Sequence, residues 1–151
     1  MALPTHIDLQ IVTPDKMLVH DQVDEVEIPG TEGYFGVLPG HTPLLASLAV
    51  GELWDRKGQE KTFLSIAFGF SEVLPERVTI LAQLAETAEE IDVARAEEAR
   101  KRAEARLSQA KAEIDYERAR VALMKSVARL QVASRMQFAG RVGRQRMRPP
   151  E

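Results

Sequence analysis

The chain has 151 residues, a formal net charge of −3 and an apolar fraction of 44%. That length holds one ordinary domain, or a small one with an appendage, and no apolar run is long enough to span a bilayer. Cysteine is absent, which excludes disulfides, thiolate metal sites and cysteine nucleophiles. The N-terminus lacks the patterns of a signal or transit peptide, so a cytosolic location is expected.

The net charge hides an asymmetry. Residues 1–86 carry 13 acidic and 5 basic side chains, and residues 87–117 carry 9 and 6. From Arg118 to Pro150 there are nine basic residues and no acidic one. A basic end of this kind implies an acidic partner, whether protein, nucleic acid or anionic lipid. A solvated helix face is the alternative.

Taken in order, Ile7-Asp8-Leu9-Gln10-Ile11 alternates with the period of a half-buried strand. Thr13-Pro14-Asp15-Lys16 is turn chemistry, Met17 to His20 resumes an apolar run, and Val26-Glu27-Ile28 alternates again. Pro29 to Gly33 is a second turn cluster, followed by Tyr34 to Leu38, read as a short buried strand. Pro39 to Pro43 forms a rigid loop into Leu44 to Val50. Gly51 to Trp54 leads to a hairpin tip at Asp55 to Gln59, and Thr62 to Phe70 returns. A turn at Leu74 to Arg77 precedes the last strand, Val78 to Ala82. Short strands at this spacing predict an all-β sandwich or barrel.

The period changes between Ala85 and Ala96. Thr87 and Glu90 have capping-box spacing, and Asp92 is itself a good N-cap. Beyond it, Ala96, Ala99, Ala103, Leu107 and Ala110 form one stripe, and Ala119, Ala122, Leu123, Ser126, Leu130 and Ala133 a second. Two stripes of small residues suit a tight antiparallel helical hairpin turning near Ser108 to Lys111. One continuous helix of ~40 residues, about 60 Å long, is the alternative, because neither Gly nor Pro marks the turn. The overall fold class expected is α+β: an N-terminal all-β sandwich, then an antiparallel two-helix hairpin. From Gly140 the arginines and Pro149-Pro150 read as a disordered tail.

Catalytic constellations are missing from the sequence. His6, His20 and His41 have no ligand-type spacing, no serine sits in a Gly-x-Ser-x-Gly elbow, and Gly33, Gly36 and Gly40 do not form a phosphate-binding loop. Tyr34, Phe35, Phe63, Phe68 and Phe70 fall inside predicted strands, where core packing is expected rather than base stacking. At the junction, Asp92 and Arg95 share a helix face. A folded hairpin would bring Lys125 and Arg129 towards them, giving either an anion pocket or a salt-bridge cluster that closes the hairpin.

Gly36-Val37-Leu38-Pro39-Gly40-His41-Thr42-Pro43-Leu44-Leu45 resembles the signature loop of the epsilon subunit of F-type ATP synthases. Val12-Thr13-Pro14, Phe68 to Val73, Val78 to Ala82, Ala85-Glu86 and Ile91-Asp92-Val93-Ala94-Arg95-Ala96 match that family in order, over about residues 5–137. The resemblance implies a β-sandwich of about ten strands over residues 1–86 and a regulatory hairpin over 87–139, while the basic tail over 140–151 is an extension to which it assigns no role.

It further implies a central-stalk rotor subunit without catalytic residues, metal or required cofactor. The sandwich would bind the gamma subunit and the c-ring, coupling proton-driven rotation to ATP synthesis from ADP. The helices would extend along gamma into the alpha–beta hexamer and inhibit ATP hydrolysis, the basic second helix meeting an acidic loop on beta. The protein would sit peripherally on the cytoplasmic side of the inner membrane, attached only through the complex, and would bind no nucleic acid.

Some members bind regulatory ATP at the folded hairpin. The matching positions here are Glu86, Ile91, Asp92, Arg95, Lys125 and Arg129. Lys125 stands where the tight binders have arginine and lacks the planar fork that suits phosphate. The absent turn glycine is a second departure, tilting the balance towards the extended form. A free-standing sandwich adaptor whose basic hairpin binds nucleic acid or anionic lipid is the competing expectation.

Overall fold

A computed structural model describes the backbone of residues 2–145 and the side chains of residues 2–136. The strands are β1 (Ile7–Val12), β2 (Met17–Val23), β3 (Glu25–Gly30), β4 (Gly33–Val37), β5 (Leu44–Lys57), β6 (Glu60–Val73) and β7 (Arg77–Thr87). They form one sheet in the order β2-β1-β7-β6-β5-β3-β4. β1 and β7 pair in parallel, and the other neighbours are antiparallel.

The sheet becomes a sandwich by folding along a crease. In β6 the inward residues are Leu64 and Ile66 before the crease, but Ser71 and Val73 after it. β5 switches from Leu48 to Leu53, and β7 from Ala82 to the partly buried Ala85. Pairing skips Phe68 while the register on both sides stays the same. Phe68 and Gly69 have φ of 64° and 125°, which turns the strand over without a bulge residue. A Cβ on Gly69 would collide with the Leu81 carbonyl oxygen, so this position requires glycine.

The expectation of about ten strands is therefore corrected to seven among the described residues. β5, β6 and β7 pass through the crease unbroken, and each supplies a segment to both layers. Asp55, Arg56 and Lys57, expected at the hairpin tip, extend β5, and the turn narrows to Gly58-Gln59 with Gly58 at φ 62°.

The core between the layers is aliphatic. Ile7, Leu9, Ile11, Val26, Ile28, Leu53, Leu64, Ile66, Val78 and Ile80 are fully buried, each worth about 1.5–3 kcal/mol. Among the described residues, no helix residue belongs to this core. The expected aromatic packing fails for Tyr34 and Phe70, both 56% exposed. β4 is an edge strand with three exposed residues instead of a buried strand, because it pairs only with β3.

After β7 a single 3-10 turn (Ala88–Glu90) leads to α1 (Val93–Gln109) and α2 (Glu113–Gln145). The two start signals serve these two helices in succession. The Thr87 N–H donates to the Glu90 carboxylate at 3.0 Å, and the Arg95 N–H donates to Asp92 Oδ1 at 3.1 Å. The chain reverses over Ala110 to Ala112, and in the last turn of α1 before it the Ser108 hydroxyl donates to the Ala105 carbonyl at 2.8 Å. Ala96, Ala103, Ala119 and Ser126 are buried, so the helices meet through small side chains.

α2 continues through Gly140 and Gly143 to Gln145, so the helix does not stop at residue 139. Residues 146–151, the remainder of the expected tail, lie outside the described residues.

Candidate functional site

The hairpin lies folded against the sandwich, with α2 crossing β5 and β6. A small apolar cluster docks it: Ile91, Val132 and Ala133, with Phe63 and Ala88 packed around them. Glu90 adds a staple at the hinge. Its carboxylate accepts from the Lys16 ammonium and the Thr87 N–H, and both hold its pKa below the ordinary value.

Between hairpin and sandwich is a cavity of about 390 Å³. Small residues set its size: Ser65 and Ala67 from β6, Ala85 from β7 and Ala99 from α1. Its charged lining is Glu86 from the end of β7, Arg95 and Arg102 from α1, and Lys125 and Arg129 from α2. Arg129 Nε and Nη2 donate to the two Glu86 oxygens at 2.6 and 3.3 Å, a two-pronged pair. Arg102 reaches Glu98 only at 4.0 Å. Lys125 Nζ sits 5.5 Å above the Phe68 ring. Arg95 has no carboxylate partner among the described residues. Four cations around one carboxylate, already paired, leave a site suited to a polyanion.

Four of the residues named from the sequence therefore meet at this cavity: Glu86, Arg95, Lys125 and Arg129. Ile91 is part of the docking cluster instead. Asp92 is spent on the α1 cap and lines no part of the cavity, so the carboxylate that gathers the cations is Glu86. The cap holds the aspartate oxygen at its own helix start. Arg102 was not singled out from the sequence. Its signal is the seven-residue step from Arg95, two turns along the same helix face.

The histidines are dispersed. His6 Nδ1 lies 3.0 Å from Asp24 and His20 Nε2 3.2 Å from Asp8, at separate places on the sheet.

Residues 6–88 match the family described as "ATP synthase, Delta/Epsilon chain, beta-sandwich domain", and residues 89–134 match "ATP synthase, Delta/Epsilon chain, long alpha-helix domain". The chain belongs to the epsilon-chain family of F-type ATP synthases. The division between the two matched segments falls one residue beyond the end of β7 at Thr87.

Among relatives, the ATP synthase epsilon chain of Koribacter versatilis (strain Ellin345) is 55% identical over 100 residues, 66% of this chain and 70% of that one. The epsilon chain of Syntrophobacter fumaroxidans is 56% identical over 101 residues, 67% of this chain and 75% of that one. A chain in a structure of Euglena gracilis mitochondrial ATP synthase (OSCP/F1/c-ring, rotational state 1) superposes with a TM-score of 0.76 at 29% identity, covering 88% of this chain and 84% of that chain. A Tetrahymena thermophila ATP synthase central stalk/c-ring chain shares the fold, with a TM-score of 0.50 at 14% identity. The epsilon-family motifs read from the sequence thus identified the family correctly.

Proposed function

We propose that this chain is a central-stalk subunit of a proton-translocating F-type ATP synthase, without catalytic groups of its own. In this reading its sandwich binds the gamma subunit and the c-ring, and couples rotation to ATP synthesis in the alpha–beta hexamer. Its hairpin alternates between the folded form and a form extended along gamma that inhibits ATP hydrolysis. Attachment to the cytoplasmic face of the inner membrane is through the complex alone.

The observation that carries this reading is the Glu86–Arg129 pair, which closes the hairpin over a cation-lined cavity. The hairpin's hold on the sandwich is modest. Half-exposed ion pairs contribute about 0–1 kcal/mol each, and the Ile91–Val132–Ala133 cluster adds a few more. Converting a population from 1:99 to 99:1 takes about 5.5 kcal/mol. A bound polyanion or a competing partner can supply that difference, so the hairpin has the energetics of a two-state element.

ATP is the ligand proposed for the cavity. Its phosphates would meet Arg95, Arg102, Lys125 and Arg129, and binding would favour the folded, non-inhibiting form. Affinity would be limited by Lys125, a point charge in place of a fork. Extension would expose the basic run of α2 to the acidic surface of beta.

Affinity purification of the tagged chain tests the assignment. Recovery with alpha, beta and gamma is expected. Recovery instead with nucleic acid or anionic vesicles, lost as salt is raised, would support the adaptor reading.

A further inference from the structure

We infer that Arg135 and Glu52 form a second latch on the hairpin, independent of the proposed nucleotide cavity. This rests on the reading above that the hairpin opens. Arg135 Nη2 and Nε face the two Glu52 oxygens at 3.2 and 3.4 Å, across 83 residues of chain. The same guanidinium lies 5.1 Å over the Phe63 ring, which itself packs on the Ile91–Val132–Ala133 cluster. One side chain thus clasps both β5 and β6.

The backbone at the acidic half of the clasp is held within the sandwich. The Glu52 N–H donates to the Tyr34 hydroxyl at 3.2 Å, and Tyr34 lies over Gly51, where any Cβ would strike its hydroxyl oxygen. The Glu52 side chain is 12% exposed with the hairpin in place, and Arg135 is its one ion-pair partner among the described residues. Clefts of about 330 and 180 Å³ flank Arg135, so the guanidinium is anchored by Glu52 and Phe63 and not by tight packing.

Neither Arg135 nor Glu52 lines the cavity that holds Glu86 and Arg129. A ligand there therefore leaves this contact untouched. The clasp contributes to how much of the hairpin stays folded when the cavity is empty, and ligand binding adds to that baseline. Arg135 also lies in the acid-free basic run, so an acidic surface that captures α2 competes directly with Glu52.

The chain has no cysteine, so Gln59→Cys and Lys111→Cys give a clean pair of labelling sites for energy transfer between sandwich and hairpin elbow. In the full-length chain without ATP, Arg135→Gln and Glu52→Gln are each expected to raise the ratio of open to folded hairpin about fivefold. The charge-exchanged double variant, Glu52→Arg with Arg135→Glu, is expected to restore it towards the wild type. An Arg135→Gln chain no more open than wild type, or a double variant as open as either single one, overturns the clasp. If ATP leaves the wild-type signal unchanged while Arg135→Gln still opens the hairpin, the nucleotide reading fails and the clasp stands.

Discussion

Glu86 and Arg129 are 43 residues apart in the chain, yet they share two charge-assisted hydrogen bonds of 2.6 and 3.3 Å. One ends the last strand and the other sits mid-way along the second helix, so the pair measures directly whether the hairpin is closed.

Removing either charge loosens α2. Both side chains are partly exposed, at 35% for Glu86 and 26% for Arg129, which keeps the expected loss near 1 kcal/mol, or about fivefold in the open population. In the reconstituted complex, Glu86→Gln is expected to lower the rate of ATP hydrolysis, because more hairpins are free to extend. Steady-state hydrolysis rates read this outcome, and an increase would contradict it.

Lys125 lines the same cavity but rests over Phe68. Substituting arginine supplies a planar fork with five donors in place of a compact ammonium. Lys125→Arg is expected to tighten ATP binding several-fold, as measured by calorimetry on the isolated chain. Unchanged or weaker binding would remove Lys125 as the limit on affinity.

What the sequence disclosed depended on how local the cause was. Helix starts are set within a few residues, and Thr87–Glu90 and Asp92 both cap as read. The alternation in β1 and β7 likewise follows from neighbouring side chains. The crease at Phe68-Gly69 left almost no trace, because a lone glycine inside an apolar run also fits an ordinary strand. The exposure of Tyr34 and Phe70 depends on which layer covers which face, and residue type alone does not decide that. At the site, three of the four cations, Arg95, Lys125 and Arg129, were legible, and Arg102 was missed although it shares the helix face of Arg95. Choosing Glu86 over Asp92 as their partner required the placement of α2 over the sheet, which brings Arg129 within reach of Glu86, a tertiary relationship.

Asp55 gives the sandwich its own pH signature. Burial on the inner side of β5 raises its carboxyl to about 6, Asp21 adds to the rise, and Lys57 opposes it. An unfolded chain ionises this group near 3.8, so the folded state holds the extra proton between those values. Stability from this group is greatest below the unfolded pKa and is lost as pH rises through about 6. Asp55→Asn is expected to stabilise the protein by about 2 kcal/mol at pH 7 and to have little effect near pH 3.5. Urea denaturation at the two pH values makes the comparison, and a variant less stable than wild type at pH 7 would contradict it.

The hairpin's role is tested most directly by deletion, since the aliphatic core that holds the sandwich together includes no helix residue among those described. Removing residues 88–151 should leave a folded sandwich that still assembles with gamma and the c-ring and still supports ATP synthesis. The decisive measurement is ATP hydrolysis by complexes reconstituted with the full and the shortened chain. Faster hydrolysis with the shortened chain is the predicted result, and equal rates in the two complexes would contradict an inhibitory hairpin.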